Sequence, residues 1–197
     1  MIGALPTVLT VNETQYAIRT DYRNVLQVFE AFEDSDLTQE EKWIVAVYLM
    51  FEDFSCADDA LGAAEEGFDV SEAIQQIIWF ISGGTLEKES TELPVYSWKQ
   101  DEQMIFSAVN KVAGKEIREI EYMHWWTFLG YFNEIEEGSF SFIVGIRQKL
   151  NKKKKLEKHE KEFLSRNKHL VRLEKPKTKE EQKQEDAYQT LLNEVLG

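Results

Sequence analysis

Residues 121 to 132 read Glu121-Tyr122-Met123-His124-Trp125-Trp126-Thr127-Phe128-Leu129-Gly130-Tyr131-Phe132 and place two of the chain's five tryptophans side by side. They belong to a longer stripe, Ile117, Ile120, His124, Phe128, Tyr131/Phe132 and Ile135, whose spacing stays near 3.6 residues from Lys115 to Gly138. That period predicts one helix over the whole stretch. Neighbours on a helix point about 100° apart, so Trp125 and Trp126 cannot share one narrow face. Such a helix is either the spine of the core, with His124 neutral and hydrogen-bonded, or it keeps one aromatic flank exposed as an anchor for a partner. Both hold if one tryptophan packs inward and the other faces a groove.

Working upstream, Ser97 and Gln100 form a capping-box pattern that opens a helix through Met104, Ile105, Ala108 and Val112, ending at Gly114. Thr85 to Val95 has no apolar period and reads as a linker. Asp69 with Glu72 starts a helix through Ile74, Ile77, Ile78 and Ile81, which Gly83-Gly84 stops, and Asp58 to Glu66 is a weaker, Ala-rich helical segment. Thr38 and Glu41 cap a broadly apolar helix running from Trp43 to Phe54. Asp21 caps another through Tyr22, Val25, Leu26, Phe29 and Phe32. Before it, Val8 to Val11 and Gln15 to Thr20 alternate apolar and polar residues about the turn Asn12-Glu13-Thr14, the pattern of a β-hairpin.

Working downstream, Ser139 caps a last long helix through Phe142, Ile143, Ile146 and Leu150, which fades into Lys152-Lys153-Lys154-Lys155. Beyond Leu150 the apolar residues Leu156, Phe163, Leu164 and Leu170 are too sparse to bury a face on the body, so this helix is expected to leave it. Pro176 breaks the arm, and Glu180 to Leu196 could form a small amphipathic helix. The fold class that follows is mainly α: a compact multi-helix domain (residues 1–150) with an N-terminal β-hairpin and about six helices, a protruding basic helical arm (151–175) and a loosely ordered acidic tail (176–197).

The formal charge of −13 averages opposed parts. Arg147 to Lys179 holds fourteen Lys+Arg against four acids, residues 1 to 146 carry −19, and the last eighteen residues carry −4. Asymmetry of this kind belongs to interaction surfaces. With 43% hydrophobic and 12% aromatic residues, low-hydrophobicity disorder is excluded for the chain as a whole. A single Cys56 cannot form an internal disulfide, the start Met1 to Pro6 lacks the basic opening of a signal peptide, and no apolar run approaches a membrane span. A reducing compartment is therefore expected, with no secretion and no membrane.

Chemistry-bearing patterns fail one at a time. Gly83-Gly84 lies in neither a dinucleotide nor a phosphate-loop setting. His159-Glu160-Lys161-Glu162-Phe163 puts Phe163 where a zinc-binding helix needs its second His. The acid pairs Asp58/Asp59, Glu65/Glu66 and Glu136/Glu137 are adjacent residues, which diverge on a helix and read as a solvated face. Cys56 has no visible base neighbour. The expectation is no enzyme, no cofactor and no metal.

The string Glu121-Tyr122-Met123-His124-Trp125-Trp126-Thr127-Phe128, continued by Phe140, Ile143, Val144, Gly145, Ile146 and Arg147, resembles the signature of the bacteriophage gp-fifteen family, from about Tyr96 to Lys149. Thr127 stands where that pattern favours Lys, and Leu129 or Gly130 where it favours a small residue. The resemblance implies a tail assembly chaperone of siphophages and prophages that binds the tape-measure protein. Such a chaperone works in the cytoplasm of the bacterial host and is absent from the mature virion.

Partner-binding candidates are Trp125, Trp126, Phe128 and Tyr131 for an aromatic face, and Lys152, Lys153, Lys154 and Lys155 for an electrostatic arm that could also support self-association. Two alternatives stay open. One is nucleic-acid binding through the arm, which the acidic body and the lone arm aromatic Phe163 disfavour. The other is a minor structural component of the tail.

Overall fold

The computed structural model describes residues 3–85 and 93–174. The expected small helix at Glu180 to Leu196, the acidic tail and most of the expected linker lie outside these residues. As the sequence implies, the fold is mainly helical with an N-terminal two-stranded antiparallel hairpin.

Strands β1 (Val8–Val11) and β2 (Thr14–Ala17) pair with Leu9 opposite Tyr16 and Val11 opposite Thr14. Asn12 and Glu13 form the two-residue connection and both have positive φ, 51° and 62°, the hand that matches the twist of a hairpin. Leu9 and Val11 point into the core. The turn is tied down: the Asn12 amide donates to the Glu72 carboxylate at 2.7 Å and the Asn12 side chain to the Gly67 carbonyl at 2.8 Å.

Helices α1 (Tyr22–Glu33), α2 (Gln39–Met50), α3 (Ala57–Glu65) and α4 (Val70–Ile81) follow. The N-terminal caps of α1, α2 and α4 are those legible in the sequence. Asp21 accepts from the Arg23 amide, Thr38 and Glu41 form a reciprocal capping box, and Asp69 accepts from the Glu72 amide. Helix α2 stops at Met50, short of the expected Phe54. Arg19 explains this stop, since its guanidinium takes the carbonyls of Tyr48, Phe51 and Phe54 and so satisfies acceptors that the ending helix leaves free. Phe51 then forms a bridge with Ile18, and Phe51 and Phe54 fold into the core.

The single helix expected from Lys115 to Gly138 is not what forms. After α5 (Glu102–Ala113), closed by Gly114 at φ 69°, comes a 3-10 turn at Ile117–Glu119, an extended stretch to His124, and then α6 (Trp125–Asn133). Local hydrogen bonds break the helix. Asn110 takes the Ile117 amide and the Glu116 carboxylate takes the Arg118 amide. The extended stretch then pairs across the chain, with the Tyr22 amide on the Met123 carbonyl at 2.9 Å and the Trp125 amide on the Thr20 carbonyl at 2.7 Å. Ile117 and Ile120 keep their helical spacing without lying in an α-helix. Ser97 does take the Gln100 amide, but it caps the turn before α5, which begins at Glu102.

The basic segment also departs from expectation. Helix α7 (Ser139–Asn151), which starts one residue after Gly138 as its N-cap, does not run on into a protruding helix. Lys153 adopts the left-handed conformation, φ 51°, the Lys153 amide bonds to the Leu150 carbonyl and the Lys154 amide to that of Lys149. This pairing is a Schellman stop. The chain turns back as α8 (Lys158–Arg166) and α9 (Lys168–Val171), burying Leu156 and Val171 against Ile146 with Phe142, Phe163 and Leu164 around them. The sparse apolar residues suffice because Arg147, 3% exposed, does much of the docking. Its five N–H groups reach both oxygens of the buried Asp101 and the carbonyls of Val95, Leu170 and Val171.

Candidate partner-binding site

The aromatic signature occupies a junction of three elements. Met123 and His124 cross the start of α1, where the second oxygen of the Asp21 carboxylate accepts from the Met123 amide. His124 is 4% exposed and caps α6, with Nδ1 accepting from the Trp126 amide at 3.0 Å. Nε2 therefore carries the hydrogen and donates to the Pro6 carbonyl at 2.9 Å. Tyr122 is exposed, and its hydroxyl meets that of Thr20 at 2.7 Å.

The adjacent tryptophans divide the labour. Trp125, 1% exposed, donates its indole N–H to the Ile81 carbonyl, and Trp126 donates to the Phe80 carbonyl, each at 2.8 Å. Both acceptors belong to the last turn of α4, whose carbonyls have no partner within the helix. The pair thus closes the C-terminal end of α4, each bond contributing about 1 kcal/mol net. Trp125 and Phe128 belong to a buried aromatic cluster: Phe128 stacks on Tyr22 at 4.8 Å, and Trp98 stacks on Phe29 at 5.1 Å. Burial pushes the Tyr22 and Tyr96 hydroxyls above their usual pKa.

Of the four aromatic candidates, Trp125 and Phe128 are therefore core and offer no surface to a partner, while Tyr131 is half-buried. Trp126 is also half-buried and packs edge to face on Trp79 at 5.5 Å. Because its polar atom is already bonded inside, the part of Trp126 near the surface is hydrocarbon. Gly84, at φ 87°, lets the chain pass under that ring, since a Cβ there would lie 2.9 Å from it. Ile78, 38% exposed, extends the patch along α4, and Leu129 extends it along α6 over Gly83. The result is an apolar shelf of Ile78, Trp79, Trp126 and Leu129.

Sequence reasoning placed Ile78 on a core face and missed Trp79. The run Ile77-Ile78-Trp79-Phe80-Ile81 held the signal, because five consecutive apolar residues wrap a helix and some must face outward. A second feature is a groove of about 740 Å³ between α5 and the α6–α7 turn. Met104, Ala108, Val112 and Ile135 floor it, and the exposed Glu134, Glu136 and Glu137 rim it. Lys152 to Lys155 are all exposed, at the far end of α7.

Other electrostatic features are local. Two guanidinium bonds and the backbone amide of Arg118, with one bond from Asn110, hold the Glu116 carboxyl down at about 2. Lys149 and the Glu157 amide hold Glu160 below the usual carboxylate range. Cys56 is exposed at the start of α3, and its amide donates to Asp59. Among the described residues no group of three or more His, Cys, Asp or Glu is placed to hold a metal ion, and no helix is long and apolar enough to cross a membrane.

The profile of the family described as Bacteriophage Gp15 protein matches residues 1–173. The chain belongs to this family. The match takes in the hairpin, the aromatic junction and the folded-back helices α8 and α9, so it extends well beyond the resemblance of residues 96 to 149. No curated protein and no solved structure matches the chain.

Proposed function

We propose that this phage protein is a non-catalytic tail assembly chaperone that holds the tape-measure protein while the siphophage tail is built. The observation that carries the reading is the shelf of Ile78, Trp79, Trp126 and Leu129. Of its two tryptophans, Trp126 is fixed from behind by the Phe80 carbonyl, so it presents a rigid apolar surface that loses little side-chain entropy on docking. A long helical client carries apolar stripes at i, i+3, i+4 and i+7, and helix-on-shelf docking buries them. The charge of −19 on residues 1 to 146 keeps such a complex soluble by self-repulsion. The chaperone works in the bacterial cytoplasm and leaves before the virion is complete.

The test is co-expression with the tape-measure protein of the same phage, followed by purification on a tag carried by this chain. A soluble complex is expected. Ile78→Lys, at an exposed site, should abolish capture while leaving the melting temperature within about 2 °C, as surface changes do. Retention of the client by that variant moves the contact elsewhere. Finding this chain in stoichiometric amount in purified particles replaces the chaperone reading with a structural tail component.

A further inference from the structure

The groove at the start of α7 and the lysine loop at its end are complementary in two independent ways. The groove has an apolar floor in which Met104, Ala108 and Val112 recur at every fourth residue of α5. On its rim no hydrogen bond or ion pair engages the carboxylates of Glu134, Glu136 and Glu137 among the described residues. Lys111, the cation among the groove residues, is directed at the Glu137 main-chain carbonyl at 3.2 Å. At the other end of α7 two apolar side chains stand in water beside the lysines: Leu150 is 42% exposed and Leu93 65%. Asn151 fixes their neighbourhood by donating to the Leu93 and Pro94 carbonyls, and the Schellman stop fixes the loop.

Helix α7 has 13 residues, which makes it about 20 Å long. Ser139 and Phe140 line the groove at one end, and Asn151 leads into the lysine loop at the other. A rigid helix keeps the two apart, so one copy cannot fill its own groove with its own loop. We infer that the groove receives the Leu93–Leu150–Lys153–Lys155 end of a second copy of this chain. Apolar side chains meet the floor and ammonium groups meet the rim. The contact is heterologous, so each added copy exposes a fresh groove at one end and a fresh loop at the other, and the product is a ring or an open chain. This goes beyond the proposed client binding, because it concerns a different surface and needs no client.

The test is a charge exchange in the full chain, read by sedimentation. Wild type should exceed monomer mass increasingly with concentration at low salt, and fall to monomer near 1 M salt, where the Debye length is about 3 Å. A groove variant (Glu134→Lys, Glu136→Lys, Glu137→Lys) and a loop variant (Lys153→Glu, Lys154→Glu, Lys155→Glu) should each be monomeric at low salt with wild-type melting curves. Mixing them places opposite charges at both kinds of contact and should restore assembly. A monomeric wild type overturns the inference, as does assembly by either variant alone or no recovery on mixing. Val112→Asp, on the groove floor, must also give monomer. Client capture is scored separately, so loss of capture with assembly intact rejects the chaperone reading and leaves this one standing.

Discussion

The aromatic junction and the basic C-terminal segment both fasten a late piece of chain onto the body, and they do it by opposite means. At the junction the fastening is dry: stacked rings, two indole N–H groups on helix-end carbonyls, and a histidine with both nitrogens bonded. Around α7 to α9 the fastening is a buried guanidinium that binds a carboxylate and three carbonyls, helped by a cluster of three buried apolar residues. Packing that is spread over many rings tolerates the loss of any single polar contact. A clamp concentrated in Arg147 does not, since removing one partner of a buried pair leaves an uncompensated charge.

Arg147→Ala breaks this contrast most severely. It should cost about 3–5 kcal/mol in urea unfolding, because Asp101 is then buried unpaired. Proteolysis should open residues 151 to 174 before the body. The double variant Arg147→Met with Asp101→Leu should recover part of that loss while leaving the segment more easily cleaved, since the bonds to Val95, Leu170 and Val171 stay absent.

Gly84→Ala strikes the junction instead. A side chain at φ 87° would also press on the Trp126 ring, and the expected loss is about 2 kcal/mol with a changed tryptophan emission. Unlike Arg147→Ala, it should lower the melting temperature of the whole body without a separate early cleavage.

Acid separates the regions more gently. Glu160 has a folded-state pKa below its unfolded value, so its contribution is present above about pH 4.5 and is lost as pH falls through the lower folded value. Glu116 behaves the same way down to about 2. Hydrogen-exchange protection in α8, with the intrinsic pH dependence of amide exchange divided out, should therefore weaken in wild type as pH falls below about 4.5. In Glu160→Gln that protection should be weak already at pH 7 and change little further on acidification. The smallest effect is a gain: Lys153→Gly removes the left-handed penalty at the end of α7 and should stabilise by about 0.5–1 kcal/mol, read from urea midpoints.

Punctuation was legible in the sequence. Asp21, Thr38 with Glu41, Asp69, Gly83-Gly84 and Gly114 start or stop helices where their chemistry says they should. The stretch from Ile117 to His124 misled because a 3.6-residue period records which side chains are buried, and a 3-10 turn followed by an extended crossing can bury the same ones. Docking of the basic segment was hidden because hydropathy counts Arg147 as surface, while its donors are spent on carbonyls that only the tertiary fold brings near. Lys153 carries no sign of its left-handed turn, a place where glycine is the usual marker. At the candidate site, Trp126 could be read from the aromatic density. The groove could not, since Met104 and Glu136 become neighbours only when α5 meets the α6–α7 turn.

The bridge between Asp21 and His124 also bears on synthesis. The amide of Tyr22 waits for Met123, and the carbonyl of Thr20 for Trp125, about a hundred residues later. At some 5–20 residues per second the ribosome needs roughly 5–20 s to deliver them. During that interval α2 and α4 can already gather the hairpin and α2 can cover much of α1, but Tyr22 and Phe29 still lack the Phe128 and Trp125 rings that pack on them. A nascent chain is thus held half-closed until its aromatic signature emerges, and a ribosome stalled before residue 125 leaves Tyr22, Phe29 and the α4 end open to whatever else is nearby.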